Sequence, residues 1–268
     1  MKSLKLNGRD IGYEDFGQGR PLLLVHGFPL DHTMWSEQHP LASERVRVIA
    51  PDLPGFGRSS LRGDVVTMEQ FADDLAGLLD ALGVAEPIVL CGLSMGGYIA
   101  FQFWRKYAAR LGAMILCDTR AATDSPDAAT GRRVMAERVQ REGPAPLIDS
   151  MLPRVLGATT QRERPQLVES LRGVMMSNPP RGIAAAARGM AERPDMTAAL
   201  AEIRCPTLVV VGAEDAASPP AEVRAMAQSI PGARYIEVPA AGHLSPLENP
   251  AAFNAAVTEF LEEVAKRH

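Results

Sequence analysis

Short β-rich runs, some of them apolar throughout, recur along this chain at intervals filled by helical patterning, and no other feature restricts its fold as much. Pro21 to Val25, Val46 to Ala50, Pro87 to Cys91, Ala113 to Cys117, Thr207 to Val211 and Arg234 to Val238 read as strands. Leu22-Leu23-Leu24-Val25 and Leu208-Val209-Val210-Val211 lack a polar face, which suits strands covered by helices on both sides. Strands alternating with helices make a parallel sheet, so the expected class is α/β.

Local signals set the elements around that sheet. Thr67 and Gln70 form a capping box, Phe71, Leu75, Leu78, Leu79 and Leu82 follow at helical spacing, and Gly83 ends the pattern. Asn7-Gly8, between Leu4 to Leu6 and Ile11 to Tyr13, predicts an antiparallel hairpin at the sheet edge. The alternation stops after Asp118. From Arg120 to Asp195 the chain is rich in Arg and Ala, broken by Gly143-Pro144, Pro153, Pro165 and Pro179-Pro180, with helical and no strand-like patterning. The expected organisation is a helical cap over 120–196, inserted into a core domain of residues 1–119 and 197–268. A final helix is predicted over Ala251 to Val264.

Composition narrows the partners. With 268 residues, 46% of them hydrophobic, the chain can bury a substantial core. A net charge of -4 with interspersed signs supplies neither a basic stripe for nucleic acid nor a polybasic patch for a membrane. The expected partner is a small neutral or weakly charged molecule. No apolar run approaches the roughly 20 residues of a membrane helix, and Met1 to Gly17 lacks a signal-peptide core. Cys91, Cys117 and Cys205 are odd in number and sit in or beside strand-like runs. They read as reduced core thiols, so a cytoplasmic location is expected. No metal-type spacing occurs; neither metal nor cofactor is expected, and the oligomeric state stays open.

The chemistry gathers around Gly92-Leu93-Ser94-Met95-Gly96-Gly97, which follows an apolar run and precedes the helical run Tyr98 to Tyr107. A strand-turn-helix this tight leaves little room for side chains at the flanking positions, which explains Gly92 and Gly96, and lifts the Ser94 hydroxyl to the helix N-terminus. A serine hydroxyl needs a general base. Of five histidines, His26 ends a strand, His32 and His39 lie in or beside the following helical segment, and His268 is terminal. His243, in Ala241-Gly242-His243-Leu244-Ser245-Pro246, occupies a loop after the last strand and follows the nucleophile in chain order. The orienting carboxylate is expected after Thr207 to Val211, where Asp215 precedes the turn Ala216 to Pro220 and Glu214 is its rival. Backbone N–H groups of Met95 and Phe28, the latter in His26-Gly27-Phe28-Pro29, are the candidate oxyanion donors.

With these residues in place the chain resembles the α/β-hydrolase superfamily across its sheet domain, and Asp52-Leu53-Pro54-Gly55-Phe56-Gly57-Arg58-Ser59 looks like that superfamily's loop after the fourth strand. The resemblance implies an α/β-hydrolase fold, a mostly parallel eight-stranded sheet flanked by helices. The elbow and the His243 loop are most similar to the branch of cofactor-free haloperoxidases, small carboxylesterases and 3-oxoadipate enol-lactonases. Serine at the nucleophile position argues against the alkyl-enzyme chemistry of haloalkane dehalogenases and epoxide hydrolases. Met95, where proline iminopeptidases usually carry Trp, makes peptidase activity a minor alternative. The implied activity is serine-dependent hydrolysis of carboxylic esters or lactones. Enol-lactonase or perhydrolase chemistry is the alternative, and a non-catalytic ligand-binding homologue is the alternative of another class. An apolar pocket is expected between cap and elbow, with Leu30, Trp35, Met135 and Met151 as candidate lining residues.

Overall fold

The computed structural model describes residues 1–266, so His268 lies outside the described residues. Eight strands form one sheet: β1 (Lys2–Leu6), β2 (Arg9–Gly17), β3 (Arg20–Val25), β4 (Val46–Pro51), β5 (Ile88–Leu93), β6 (Leu111–Cys117), β7 (Thr207–Gly212) and β8 (Arg234–Val238). Their spatial order is β1-β2-β4-β3-β5-β6-β7-β8. The β1/β2 and β2/β4 pairs are antiparallel and the other neighbouring pairs are parallel. The antiparallel edge therefore reaches one pairing further inward than the hairpin signal alone predicts. Asn7 and Gly8 both take positive φ, 50° and 79°, as a two-residue hairpin turn needs.

The helices are α1 (Met68–Ala81), α2 (Met95–Tyr107), α3 (Pro126–Glu142), α4 (Ala145–Val155), α5 (Ala158–Glu163), α6 (Pro165–Ser177), α7 (Pro180–Ala191), α8 (Pro220–Gln228), α9 (Ser245–Glu248) and α10 (Pro250–Lys266). The apolar strands follow from two cores, since successive side chains of a strand point to opposite faces. Leu23, Val25, Leu90, Leu116 and Val209 enter one core with α1, α2 and α8; Leu22, Leu24, Cys91, Ile115 and Val210 enter the other with α10 and the short 3₁₀ segment His32–Leu41. The capping box at the start of α1 closes as predicted, Gln70 N–H donating to Thr67 Oγ1 and Thr67 N–H to Gln70 Oε1.

Helices α3 to α7 lie between β6 and β7 in the chain, and they cross the loops at the C-terminal ends of the strands. Asn178 donates to the Pro29 carbonyl and accepts from Gly57 N–H, while Val66 N–H donates to the Ala185 carbonyl. The chain enters and leaves this segment at one place. There Met196 N–H donates to the Ala121 carbonyl at 2.9 Å, and the buried Arg193 pairs with Asp124 at 2.7 Å beneath the same strands of chain. The Arg193 guanidinium also lies 4.2 Å from the centre of the Tyr98 ring on α2. Cys91 and Cys117 are buried, Cys205 is half-buried, and all three are free thiols. Among the described residues no helix is long and apolar enough to cross a membrane.

Candidate active site

β5 ends at Leu93 and α2 begins at Met95, so Ser94 alone reverses the chain. It does so at φ 53° and ψ -109°, backbone that a residue with a side chain enters only when its surroundings impose it. The surroundings are backbone. A methyl group on Gly92 would run into the Gly96 carbonyl, and one on Gly96 into the Val25 carbonyl. The strain thus comes from three segments meeting without side chains between them, and it leaves Ser94 partly exposed at the N-terminus of a thirteen-residue helix.

His243 stands between Ser94 and Asp215. Its Nε2 is 2.8 Å from Ser94 Oγ and its Nδ1 is 2.8 Å from Asp215 Oδ2. A carboxylate can only accept, so Nδ1–H donates to Asp215 and Nε2 is left to accept from the serine hydroxyl. The second oxygen of Asp215 accepts from Ala217 and Ser218 N–H at 2.7 and 2.8 Å, which fixes the carboxylate from the turn that follows it. Glu214 faces elsewhere: it accepts from Thr159 N–H at 2.8 Å and from the Thr159 hydroxyl at the start of α5.

Sequence reading missed Asp118, which is fully buried near Asp215. Asp118 accepts from Gly212 N–H at 2.8 Å and from the Ser245 hydroxyl at 2.5 Å, joining the end of β7 to the start of α9. Burial pushes its carboxyl well above the usual range, and the nearby Asp215 pushes the same way. The only sequence signal was position: Asp118 is the last residue before the strand-helix alternation breaks.

The β3 loop lies against the elbow, for a methyl group on Gly27 would come 3.6 Å from Ser94 Cβ. His26, set aside as a base, shapes that loop. Its Nε2 accepts from Leu53 N–H at 3.0 Å, so the proton sits on Nδ1 and donates to the Gly27 carbonyl at 3.0 Å. Burial holds the His26 ring in the neutral form, as this arrangement requires. Among the described residues neither the Phe28 nor the Met95 N–H donates to another protein group, so both remain available beside Ser94.

The expected pocket residues separate. Phe28 and Met135 both pack against the cluster of Ala136, Ala184 and Ala187 on α3 and α7. Leu30 borders a cleft of about 330 Å³ shared with Leu167, Leu171 and Val174 of α6, and Met151 packs on the same side of the sheet. Trp35 requires a correction. It is wholly buried, its ring 6.4 Å from that of Phe253 on α10, because a side chain of that size fills the core between the 3₁₀ segment and the last helix.

A strained serine elbow, a histidine bridging it to an aspartate and a mostly parallel eight-stranded sheet define a hydrolase of one fold. The chain matches the alpha/beta hydrolase family model over residues 22–256 and belongs to that family. Among solved structures it is similar to a thermophilic esterase from Thermogutta terrifontis, solved with malate bound: 52% identity over 98% of this chain and 97% of that one, with a TM-score of 0.94. It is also similar to an enol-lactonase from Burkholderia xenovorans LB400, at 32% identity over 97% and 100% of the two chains and a TM-score of 0.89. Among curated proteins it is 29% identical to 3-oxoadipate enol-lactonase 2 of Acinetobacter baylyi, over 96% of this chain and 93% of that one.

Proposed function

We propose that this chain hydrolyses carboxylic esters or lactones of small molecules through an acyl-enzyme formed on Ser94. The observation that carries the reading is the position of His243, 2.8 Å from both Ser94 Oγ and Asp215 Oδ2. His243 Nε2 takes the hydroxyl proton as Ser94 Oγ attacks the carbonyl carbon, and Asp215 stabilises the imidazolium without becoming protonated. The oxyanion forms against the N–H groups of Phe28 and Met95, each worth about 3 kcal/mol in comparable chemistry. Collapse of the tetrahedral intermediate expels the alcohol, which receives the proton from His243. Water activated by the same ring then releases the acid. For a lactone the alcohol stays tethered to the acyl group, and hydrolysis opens the ring.

The substrate we propose is neutral and of short to medium length. Phe28 and Met135 offer an apolar wall, and the arginines that could hold an anionic group are engaged or turned to solvent. Arg120 donates to the Ala217 carbonyl, Arg193 and Arg132 pair with Asp124, and Arg133 and Arg154 are exposed. The enol-lactonase relatives favour a second reading, a carboxylate-bearing lactone. The test is an organophosphonate label together with kcat/KM for matched neutral and carboxylate-bearing esters and lactones. One equivalent of label on Ser94, loss of turnover in Ser94→Ala and preference for the neutral member are expected. A preference of about tenfold or more for the anionic member, roughly 1.4 kcal/mol, would favour the second reading; full activity in Ser94→Ala would end both.

A further inference from the structure

The loop that carries His243 is not held by the sheet domain alone. Glu248, only 4% exposed, accepts from Leu244 N–H at 3.0 Å with one carboxylate oxygen and from Gly157 N–H at 2.8 Å with the other. Leu244 is the residue after His243, and Gly157 lies in the turn between α4 and α5. His243 itself donates its backbone N–H to the carbonyl of Val155, the last residue of α4, at 2.8 Å. The two chains touch backbone to backbone: a methyl group on Gly157 would come 2.8 Å from Gly242 N and 2.6 Å from Glu214 Oε2. Arg164 reaches Glu248 only at its backbone carbonyl, donating at 2.8 Å, and the carboxylate oxygens take the Leu244 and Gly157 amides. A buried carboxylate satisfied by two amides from segments about ninety residues apart is expensive to desolvate, and its geometry serves neither segment alone.

We propose that Glu248 is a positioning residue for His243, binding the α4–α5 turn and the base-bearing loop into one unit. The turn between α4 and α5 then stays fixed over the His243 loop throughout turnover, and admission of substrate falls to other parts of the α3–α7 segment. An oxygen-to-NH₂ change breaks the device, because a glutamine has one acceptor for two N–H groups and sets its own N–H₂ against an amide donor. The imidazole then loses its fixed distance to Ser94 Oγ while the substrate surfaces are untouched.

The inference rests on His243 being the base, so its test has two parts. In Glu248→Gln, checked as folded by circular dichroism, kcat for an aryl ester falls by at least about tenfold with KM within about twofold, as a misplaced catalytic group produces. Glu214→Gln, which frees the same turn from the Asp215 side, keeps kcat within about threefold. A smaller fall in Glu248→Gln, or an equal fall in Glu214→Gln, overturns the proposal. Hydrogen exchange of the unmodified protein is independent of any activity and of whether the variant folds. The Leu244 and Gly157 amides should have protection factors within about tenfold of each other, since one opening releases both. A wider gap overturns the clamp, whereas turnover that survives Ser94→Ala overturns the catalytic reading and leaves the exchange result standing.

Discussion

Glu214 and Asp215 are neighbours in sequence whose carboxylates serve different parts of the molecule. Asp215 accepts from His243 Nδ1 at 2.8 Å, and Glu214 accepts from Thr159 N–H at 2.8 Å. Both residues lie in the turn after β7, where Ala217 and Ser218 N–H fix the Asp215 carboxylate toward the histidine and Thr159 holds that of Glu214 away from it. Asp215→Asn should therefore lower kcat by roughly 10⁴, because the amide stabilises the wrong imidazole tautomer. Glu214→Gln should leave kcat nearly unchanged and lower stability by at most about 1 kcal/mol, its half-buried carboxylate trading one of two hydrogen bonds to Thr159 at a site still reached by solvent. Kinetics and melting of the two purified variants check both statements; the reverse pattern would exchange their roles.

The elbow tolerates no added volume at Gly96. A methyl group there meets the Val25 carbonyl, which belongs to a central strand paired on both sides and cannot retreat. Gly96→Ala should lose about 3 kcal/mol or more and displace Ser94. Urea unfolding reads the loss, and a variant with unchanged midpoint and activity would show that the strand gives way.

A second histidine-aspartate pair makes stability depend on pH. His32 Nδ1 lies 2.6 Å from Asp52 Oδ1, and Asp52 also accepts N–H groups from His32 and Arg58. Burial opposes charge on both groups, but the mutual hydrogen bond prevails: the His32 ring is raised and the Asp52 carboxyl lowered from their ordinary values. Asp31 and Glu14 face His32 as well and act in the same direction. A raised histidine contributes fully below its unfolded value of about 6.5 and loses the contribution as pH rises through the folded value. A lowered aspartate contributes fully above its unfolded value of about 3.9 and loses it as pH falls through the folded value. The pair is therefore worth most between about pH 4 and 6.5. The difference in Tm between the parent protein and His32→Gln should be largest in that window and shrink toward pH 9; a difference that grows toward pH 9 contradicts the assignment.

Where the α3–α7 segment joins the sheet, Arg193 and Asp124 hold the outgoing and returning chain together at 2.7 Å, with Arg193 only 5% exposed. Removing one member of a buried pair leaves an uncompensated charge, at a cost of about 3–5 kcal/mol. Arg132 also reaches Asp124, which places Arg193→Ala near the lower end of that range. A double-mutant cycle with Asp124→Ala should give a coupling of about 1 kcal/mol or more, and simple additivity would refute the link.

The sequence alone determined what depends on residues a few positions apart. Apolar runs without a polar face required a sheet covered on both sides, Thr67 and Gln70 set the start of α1, and Asn7-Gly8 set the first hairpin. The glycines around Ser94 announced the elbow, and chain order singled out His243 and Asp215, which the structure brings within hydrogen-bond reach. What only the tertiary structure decided are relations between segments far apart in the chain. Trp35 looked like a pocket residue from its nearness to the β3 loop, yet packing against Phe253 buried it. Asp118 and Glu248 carried no local pattern, and their importance appears only when β7, α9 and the α4–α5 turn converge on them. Between Glu214 and Asp215 local chemistry was indifferent. The direction of each carboxylate was settled by the path of the chain after β7 and by the arrival of Thr159 from more than fifty residues upstream, which no local pattern encodes.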